Sequence, residues 1–190
     1  VFVRTTFCNL RCRWCDTAYA FYEGEEKNID TIIGQVRAYE TPLVEITGGE
    51  PLVQKEVYLL VTRLLDEGFR VLIETGGSLP INLLDPRAIV IMDLKPPGSG
   101  MTHTICWENL AWLKLNDEVK FVISDQNDFE WAKSVLNENP SLNNRTILFS
   151  PVAGEMDVRK LSEWILKENL KVRLNIQLHK LIWDKESRGV

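Results

Sequence analysis

Three cysteines near the start of the chain have the type and spacing that most directly indicate chemistry. Cys8, Cys12 and Cys15 are separated by three and then two residues, whereas the fourth cysteine, Cys106, lies far along the chain. An odd triplet this compact does not match a disulfide framework. It does match a short loop that turns its thiolates toward one metal centre. A 4Fe–4S cluster held by three thiolates would keep one iron open for another ligand.

Two other interpretations of this loop compete with the cluster. A structural zinc site could be completed by Cys106 or His103, but zinc loops usually carry two paired ligand knuckles and the second pair is absent. The cysteines could also be buried hydrophobic residues. That is a fair default for the isolated Cys106 and a poor one for three cysteines so close together.

The bulk composition is that of an ordinary globular domain. The chain has 190 residues, of which 45% are hydrophobic and 26% charged, enough for one domain with a substantial core. No apolar run reaches membrane-spanning length. The net charge of -5 disfavours nucleic acid as a partner. The few, clustered cysteines fit a reducing compartment and therefore predict a cytoplasmic protein.

Apolar runs alternate with amphipathic segments along the whole chain. Strands are predicted at residues 1–5, 43–47, 70–73, 88–92, 118–123, 146–149 and 172–177. Helices are predicted at 31–39 after an Asp30 cap, at 55–67, within 103–114, at 128–137, and from an Asp157 cap to about 169. This alternation predicts an α/β fold with a parallel sheet in a single domain over 1–190. The pattern does not separate an open doubly wound sheet from a full or partial barrel.

Polar side chains follow the predicted strands at the points where these end. They are Thr47, Glu74, Asp93, Lys95, Ser124, Ser150 and His179. The carboxyl ends of parallel strands meet at one edge, which lines the ligand crevice in either architecture. The cysteine loop leaves the first predicted strand at that same edge. We therefore expect one site there.

Two motifs resemble the signatures of the radical S-adenosylmethionine (SAM) enzymes. The first is Cys8-x-x-x-Cys12-x-x-Cys15 with Trp14 before the last cysteine, and the second is Gly48-Gly-Glu-Pro51, which resembles the motif that binds the methionyl amino group. The resemblance implies a partial (β/α) barrel in which SAM chelates the open iron. One electron from the reduced cluster then cleaves SAM to methionine and a 5′-deoxyadenosyl radical. An electron donor such as flavodoxin is also implied.

A narrower resemblance covers nearly the whole chain. It is carried by 15–17, 47–51, 74–75, 93–96, 120–122, 150–151, 177–180, 182–183 and 188–190. These segments resemble the 7-carboxy-7-deazaguanine synthases of the queuosine (7-deazapurine) pathway. Those lyases convert 6-carboxy-5,6,7,8-tetrahydropterin to 7-carboxy-7-deazaguanine and ammonia, require magnesium and form homodimers. The alternatives are another radical SAM enzyme, such as a glycyl-radical activase, or a non-catalytic zinc or iron–sulfur module.

The family resemblance implies a role for particular residues. Cys8, Cys12 and Cys15 would hold the cluster, and Thr17 would ligate Mg²⁺. The residues implied for the pterin substrate are Arg4, Thr47, His179 and the carboxylate of Val190. Those implied for SAM are Gly48, Gly49, Glu50, Glu74, Asp93, Leu94, Lys95, Ser150 and Pro151.

The sequence departs from the family pattern in two places. Phe7 stands where many members carry glycine, so the start of the cysteine loop is expected to differ. The family's Gln-Gly-Glu-Gly segment, which helps to bind the pterin, is absent, and we expect that residues preceding Val1 are missing from the chain.

Overall fold

The computed structural model describes residues 1–184 and 187–188. Its strands are β1 (Phe2–Thr5), β2 (Leu43–Gly48), β3 (Arg70–Thr75), β4 (Ile89–Leu94), β5 (Glu118–Ile123), β6 (Thr146–Pro151) and β7 (Arg173–Leu174). Its α-helices are α1 (Ile29–Arg37), α2 (Glu56–Asp66), α3 (Gln126–Glu138), α4 (Val158–Lys167) and α5 (His179–Ile182). Short 3₁₀ turns fill several of the connections.

The seven strands form one parallel sheet in the order β1-β2-β3-β4-β5-β6-β7. Because right-handed crossovers that always step in one direction place their helices on one face, the opposite face becomes an interior. The fold is therefore a partial (β/α) barrel and not a doubly wound sheet. β1 and β7 are the two edges and are not paired with each other in the described part of the chain, so the barrel is open between them.

Alternation along the strands separates an apolar layer from a polar interior. In β2, Val44 and Ile46 are fully buried in the hydrophobic core, whereas the residues between and after them are polar. β3 and β5 alternate in the same way, and β4 is buried along its whole length. The polar residues of this alternation are Glu45, Thr47, Glu74, Asp93, Lys120 and Ser150. This face positions the site.

Helix caps explain where two helices begin. The prediction that Asp157 caps a helix is confirmed, since its carboxylate accepts the Lys160 N–H at 2.7 Å at the start of α4. The predicted Asp30 cap is wrong. The Asn28 side chain accepts the Thr31 N–H at 2.8 Å instead, so α1 begins at Ile29.

Two other predicted elements differ from the structure. Residues 103–114 form no α-helix but the 3₁₀ turns Thr102–Thr104 and Trp107–Ala111. The buried Asn109 side chain accepts the Ile81 N–H at 3.1 Å and donates to the Leu79 carbonyl at 2.9 Å, which anchors this segment to the loop after β3. The last strand is also only two residues long, because only Arg173 and Leu174 pair with β6.

No helix within the described ranges is both long and apolar enough to cross a membrane.

Candidate active site

The cysteine loop leaves β1 at the carboxyl edge of the sheet and is tied to the turn after β2. The Gly49 N–H donates to the Thr5 carbonyl at 3.1 Å, and the Glu50 N–H donates to the Phe7 carbonyl at 2.9 Å. Phe7 itself has φ of 65°, the left-handed conformation that favours glycine. The sequence predicted that the start of this loop would differ from the family pattern at Phe7. In the structure, Phe7 keeps the backbone conformation that favours glycine.

The two glycines of the Gly-Gly-Glu-Pro turn allow that close approach. A Cβ on Gly49 would lie 2.0 Å from the Phe7 carbonyl oxygen. A Cβ on Gly48, whose φ is 141°, would lie 2.2 Å from the Thr5 carbonyl oxygen. Both positions therefore require glycine for the packing of the loop, whatever ligand lies beyond it.

The three thiols of the loop are partly buried, and none forms a disulfide. The Cys8 Sγ accepts the Leu10 N–H at 3.4 Å, and the Cys15 Sγ lies 3.8 Å from the Thr17 hydroxyl. Burial raises the pKa of Cys8 and of Cys12, although the Lys95 ammonium acts in the opposite direction on Cys12. Metal binding would replace the thiol protons and remove this penalty.

The donor chemistry of the loop suits an iron–sulfur cluster. Within residues 1–184 and 187–188, no three His, Cys, Asp or Glu side chains gather around one ion position. Three thiolates are the protein ligands that a 4Fe–4S cluster with one open iron takes, each on a separate iron. Cys106, one of the two residues considered as a fourth zinc ligand, directs its thiol to a Glu108 carboxylate oxygen at 3.4 Å.

Glu50 is fully buried and holds the β2 and β3 ends of the site together. Its carboxylate accepts the Thr75 hydroxyl and the Gly76 N–H, each at 2.7 Å, and the Leu52 N–H at 3.1 Å. Burial raises the pKa of Glu50 despite these donors. Because three donors already engage the side chain, its structural contribution is to shape the turn.

A polar network crosses the interior from β2 to β5. The Glu74 carboxylate accepts the Thr47 hydroxyl at 3.1 Å and the Lys120 ammonium at 2.6 Å. Burial raises the pKa of Glu74, but the attraction and hydrogen bond of Lys120, together with Lys95 and Thr47, outweigh it and leave the pKa below its ordinary value. Glu74 lies in β3 and Lys120 in β5, so this ion pair crosses over the intervening strand β4.

Next to this network lies a second ion pair with an unused acceptor. The Lys95 ammonium donates to Asp93 Oδ2 at 2.7 Å. The other oxygen, Asp93 Oδ1, is buried and has no hydrogen-bond partner among the described residues. Since an unsatisfied buried acceptor is unfavourable, Asp93 Oδ1 marks a place where a bound ligand could donate.

The remaining predicted residues for SAM occupy different surroundings. Ser150 is buried and accepts the Asn175 amide at 3.1 Å, and Pro151 ends β6 beside it. The Leu94 side chain lies in the hydrophobic core, which leaves only its backbone for a ligand. Ser124, which was expected only to lie at this edge of the sheet, bonds to α3. Its hydroxyl and N–H donate to the buried Asp128 carboxylate at the start of α3.

The residues expected to contact metal and substrate come from three separate parts of the chain. Thr17 precedes the 3₁₀ turn Ala18–Phe21 directly after the cysteine loop. Arg4 is exposed on β1 in register with Thr47, and His179 is half-buried at the start of α5. Val190 lies outside the described residues.

Sequence reasoning missed several polar residues of this site. Lys120 and Glu45 contribute interior charges, and a signal was available because both interrupt apolar strands. Asp16 accepts hydrogen bonds from both Gln177 and Lys180 at 2.7 Å, and residues so far apart in sequence gave no indication of that contact. Arg13 bonds to the Glu155 carboxylate at 2.7 Å on the outer side of the loop.

Comparisons with known proteins agree with this architecture. The sequence model of the Radical SAM superfamily matches residues 2–91. The chain is 43% identical to the 7-carboxy-7-deazaguanine synthase of Chlorobaculum tepidum, over 100% of this chain and 87% of that protein. It is 40% identical to the enzyme of the same name from Koribacter versatilis, over 100% of this chain and 91% of that protein.

Solved structures share the fold. QueE from Escherichia coli superposes with a TM-score of 0.72 at 21% identity, covering 93% of this chain and 84% of that one. SuiB from Streptococcus suis, bound to its precursor peptide, superposes with a TM-score of 0.67 at 12% identity, covering 93% of this chain and 48% of that one. Full-length similarity above 30% identity, on a partial barrel with the three-cysteine loop at its mouth, shows that this chain belongs to the 7-carboxy-7-deazaguanine synthase family of radical SAM enzymes.

Proposed function

We propose that this protein converts 6-carboxy-5,6,7,8-tetrahydropterin to 7-carboxy-7-deazaguanine and ammonia in queuosine biosynthesis. The observation that carries the proposal is the full-length similarity to proteins named 7-carboxy-7-deazaguanine synthase. The cysteine loop, the glycine turn and the polar interior all lie at one end of the barrel, as this reaction requires. A glycyl-radical activase or a non-catalytic metal module receives no support from the relatives.

The residues present fit a 4Fe–4S cluster and SAM. Cys8, Cys12 and Cys15 would supply three thiolates, and SAM bound at the cluster would supply the radical that abstracts hydrogen from the substrate. Asp93 Oδ1, buried and without a partner among the described residues, would accept a hydrogen bond from the cofactor. The residues proposed to surround SAM are Gly48, Gly49, Glu50, Glu74, Asp93, Leu94, Lys95, Ser150 and Pro151.

The open part of the interior suits a small polar heterocycle that carries a carboxylate. Arg4 can pair with that carboxylate through its planar guanidinium, and Thr47 and His179 would contact the ring. The carboxylate of Val190 is proposed to contact the substrate as well. A dry, enclosed interior would protect a radical from solvent.

A magnesium ion is proposed beside the substrate. The Thr17 hydroxyl would be its protein ligand, because Mg²⁺ keeps most of an octahedral oxygen shell from water and substrate. We also propose a cytoplasmic homodimer that receives electrons from a flavodoxin-type donor. The family resemblance supports these last assignments.

Anaerobic reconstitution with iron and sulfide, followed by dithionite, SAM, Mg²⁺ and the carboxytetrahydropterin, tests the function. We expect 5′-deoxyadenosine and 7-carboxy-7-deazaguanine to form together. Formation of 5′-deoxyadenosine with the pterin returned unchanged would contradict the substrate, and no 5′-deoxyadenosine would contradict radical SAM chemistry.

The magnesium assignment needs a separate comparison. Thr17→Ala should weaken the dependence of the rate on Mg²⁺ concentration because it removes the hydroxyl ligand. Thr31→Ala, in the exposed first turn of α1, is the matched control and should leave that dependence unchanged. An unaltered magnesium dependence in Thr17→Ala would remove this residue from the metal site.

A further inference from the structure

We infer that Asp16 is a positioning residue that latches the C-terminal segment 177–183 onto the cysteine loop, closing the open side of the barrel. The latch itself is inferred from the structure alone. Its effect on catalysis rests on the proposed function. We call segment 177–183 the strap. Its described contacts give three independent reasons for this assignment.

The first reason is topological. Asp16 lies in the loop that follows the edge strand β1, and the strap follows the opposite edge strand β7. β1 and β7 are not hydrogen-bonded to each other within the described chain, so the sheet itself does not close this side. The bonds from Gln177 and Lys180 to Asp16, 161 and 164 residues apart in sequence, cross that gap.

The second reason is that few other contacts hold the strap among residues 1–184 and 187–188. The helix α5 within it contributes no buried residue, and Leu181 and Ile182 are 72% and 65% exposed. The hydrophobic effect therefore does little to position this helix. Its location depends on polar contacts, of which the strongest are two 2.7 Å hydrogen bonds to one carboxylate oxygen, Asp16 Oδ2.

The third reason is the place of Asp16 in the site. It lies between Cys15 and Thr17, which are the proposed cluster and magnesium ligands. The strap carries His179, a proposed substrate residue, between the two side chains that bind Asp16. A second contact holds the same region, since the Arg188 guanidinium bonds to Glu23 at 2.8 Å and stacks 3.9 Å from the Tyr19 ring. The closed strap would therefore hold the segment that carries His179 against the loop that carries Thr17.

The strength of the latch suits a segment that opens and closes. The Lys180 and Asp16 side chains are 17% and 42% exposed, so water screens their attraction partly. Such a pair contributes about 1 kcal/mol, which corresponds to a roughly fivefold shift between closed and open states. The strap could thus admit substrate and still exclude water once the latch is made.

Hydrogen–deuterium exchange on the full chain without added cofactors tests the latch directly. Asp16→Asn and Lys180→Met should each raise the exchange rate of the amides in 177–183 by roughly fivefold, and the double variant should add little to either. Lys180→Arg retains a cation and should restore most of the protection. Lys171→Met, which removes an exposed lysine before β7, is the matched control and should leave the strap unchanged.

A second readout separates positioning from mere support of the fold. In the reconstituted enzyme, Lys180→Met should increase the amount of 5′-deoxyadenosine formed for each product molecule, because an open strap misplaces the substrate without preventing SAM cleavage. Lys180→Arg should return the ratio toward that of the parent protein. Exchange that is unchanged in both Asp16→Asn and Lys180→Met would overturn the latch.

Faster strap exchange with an unchanged product ratio would overturn the catalytic role and leave a purely structural contact. If the parent protein made no 5′-deoxyadenosine, the proposed function would fail while the exchange experiment still decided whether the latch exists.

Discussion

Phe7 is a non-glycine residue in a backbone conformation that favours glycine. Its φ of 65° lies in the left-handed region, where a Cβ is unfavourable by roughly 1–2 kcal/mol, and its side chain is 61% exposed and gains little from packing. Phe7→Gly should therefore raise the free energy of unfolding by about 0.5–1 kcal/mol, measured by urea denaturation of the reduced protein. The gain is smaller than the strain because glycine also gives the unfolded chain more freedom.

Phe2→Gly is the matched control for this prediction. Phe2 is similarly exposed but lies in β1 outside the left-handed region, so glycine there should lower the stability by about 0.5–1 kcal/mol. Equal destabilisation by both substitutions would contradict the conformational explanation. The sequence alone could flag Phe7, because the family resemblance places glycine there, but it could not give the backbone angle.

Glu45 is a carboxyl whose ionisation opposes folding. Burial first, and then the repulsion of Glu74, raise the pKa of Glu45 to about 7, although Lys120 and Arg4 act in the opposite direction. The folded protein thus holds a proton that the unfolded chain releases near its ordinary value of 4.5. The stability contributed by protonated Glu45 is present below that value and is lost as the pH rises to about 7.

Glu45→Gln should remove this pH dependence, because glutamine carries no charge at any pH. Relative to the parent protein, the variant should gain about 1–2 kcal/mol between pH 5 and pH 8, after allowance for partial solvent screening. Urea denaturation of both proteins across that range measures the difference, and the cysteines contribute equally to each. Parallel stability curves would show that Glu45 titrates normally in the folded state.

At the scale of elements, one buried carboxylate joins a helix to the wall of the cysteine loop. Asp128 Oδ1 accepts the Gly98 N–H at 2.8 Å, and Oδ2 accepts the Ser124 N–H at 3.0 Å. The 3₁₀ turn Pro97–Ser99 is thereby held at the start of α3. Its Ser99 carbonyl in turn accepts the Arg13 N–H at 3.0 Å, so α3 supports the loop between Cys12 and Cys15.

Asp128→Asn should lower the free energy of unfolding by about 1–3 kcal/mol. Whichever way the amide is oriented, its NH₂ group faces one of two backbone N–H donors and leaves that donor without an acceptor. Asp125→Asn is the matched control. Asp125 is the exposed cap of α3, and asparagine caps a helix about as well, so its stability should hardly change. Equal effects in urea denaturation would contradict the role of the buried carboxylate.

The helices and strands also show how much of the fold the sequence pattern predicts. The seven strands and four of the five predicted helices were evident, because apolar periodicity and caps such as Asp157 are local signals. The predicted helix within 103–114 was wrong. The helical pattern of this segment is a local signal, whereas its structure depends on the hydrogen bonds of the buried Asn109 side chain with the loop after β3. The contact of Asp16 with the strap was equally invisible, since it joins opposite ends of the chain. Local sequence signals therefore predict the helices and strands of the scaffold, whereas the long-range polar contacts of the site are seen only in the structure.

At the scale of the whole molecule, a line of aromatic rings connects the second half of the barrel. Phe149 in β6 lies 5.6 Å from Phe121 and 5.8 Å from Phe129, measured between ring centroids. Phe129 in turn lies 5.2 Å from Trp164 of α4. These contacts, edge-to-face around Phe149 and tilted between Phe129 and Trp164, join two strands and two helices into one core. The continuous sheet joins that core to β1–β4.

Phe149→Ala should therefore lower the stability of the whole chain and not of one half. Phe149 is fully buried, and removing such a side chain leaves a cavity that lowers the free energy of unfolding by about 3–5 kcal/mol. If 1–190 is a single domain, global amide exchange in β2 and in β6 should accelerate by the same factor. Tyr22→Ala, at a side chain 83% exposed, should change neither strand. Acceleration confined to β5–β7 would instead show that the barrel unfolds as two separate units.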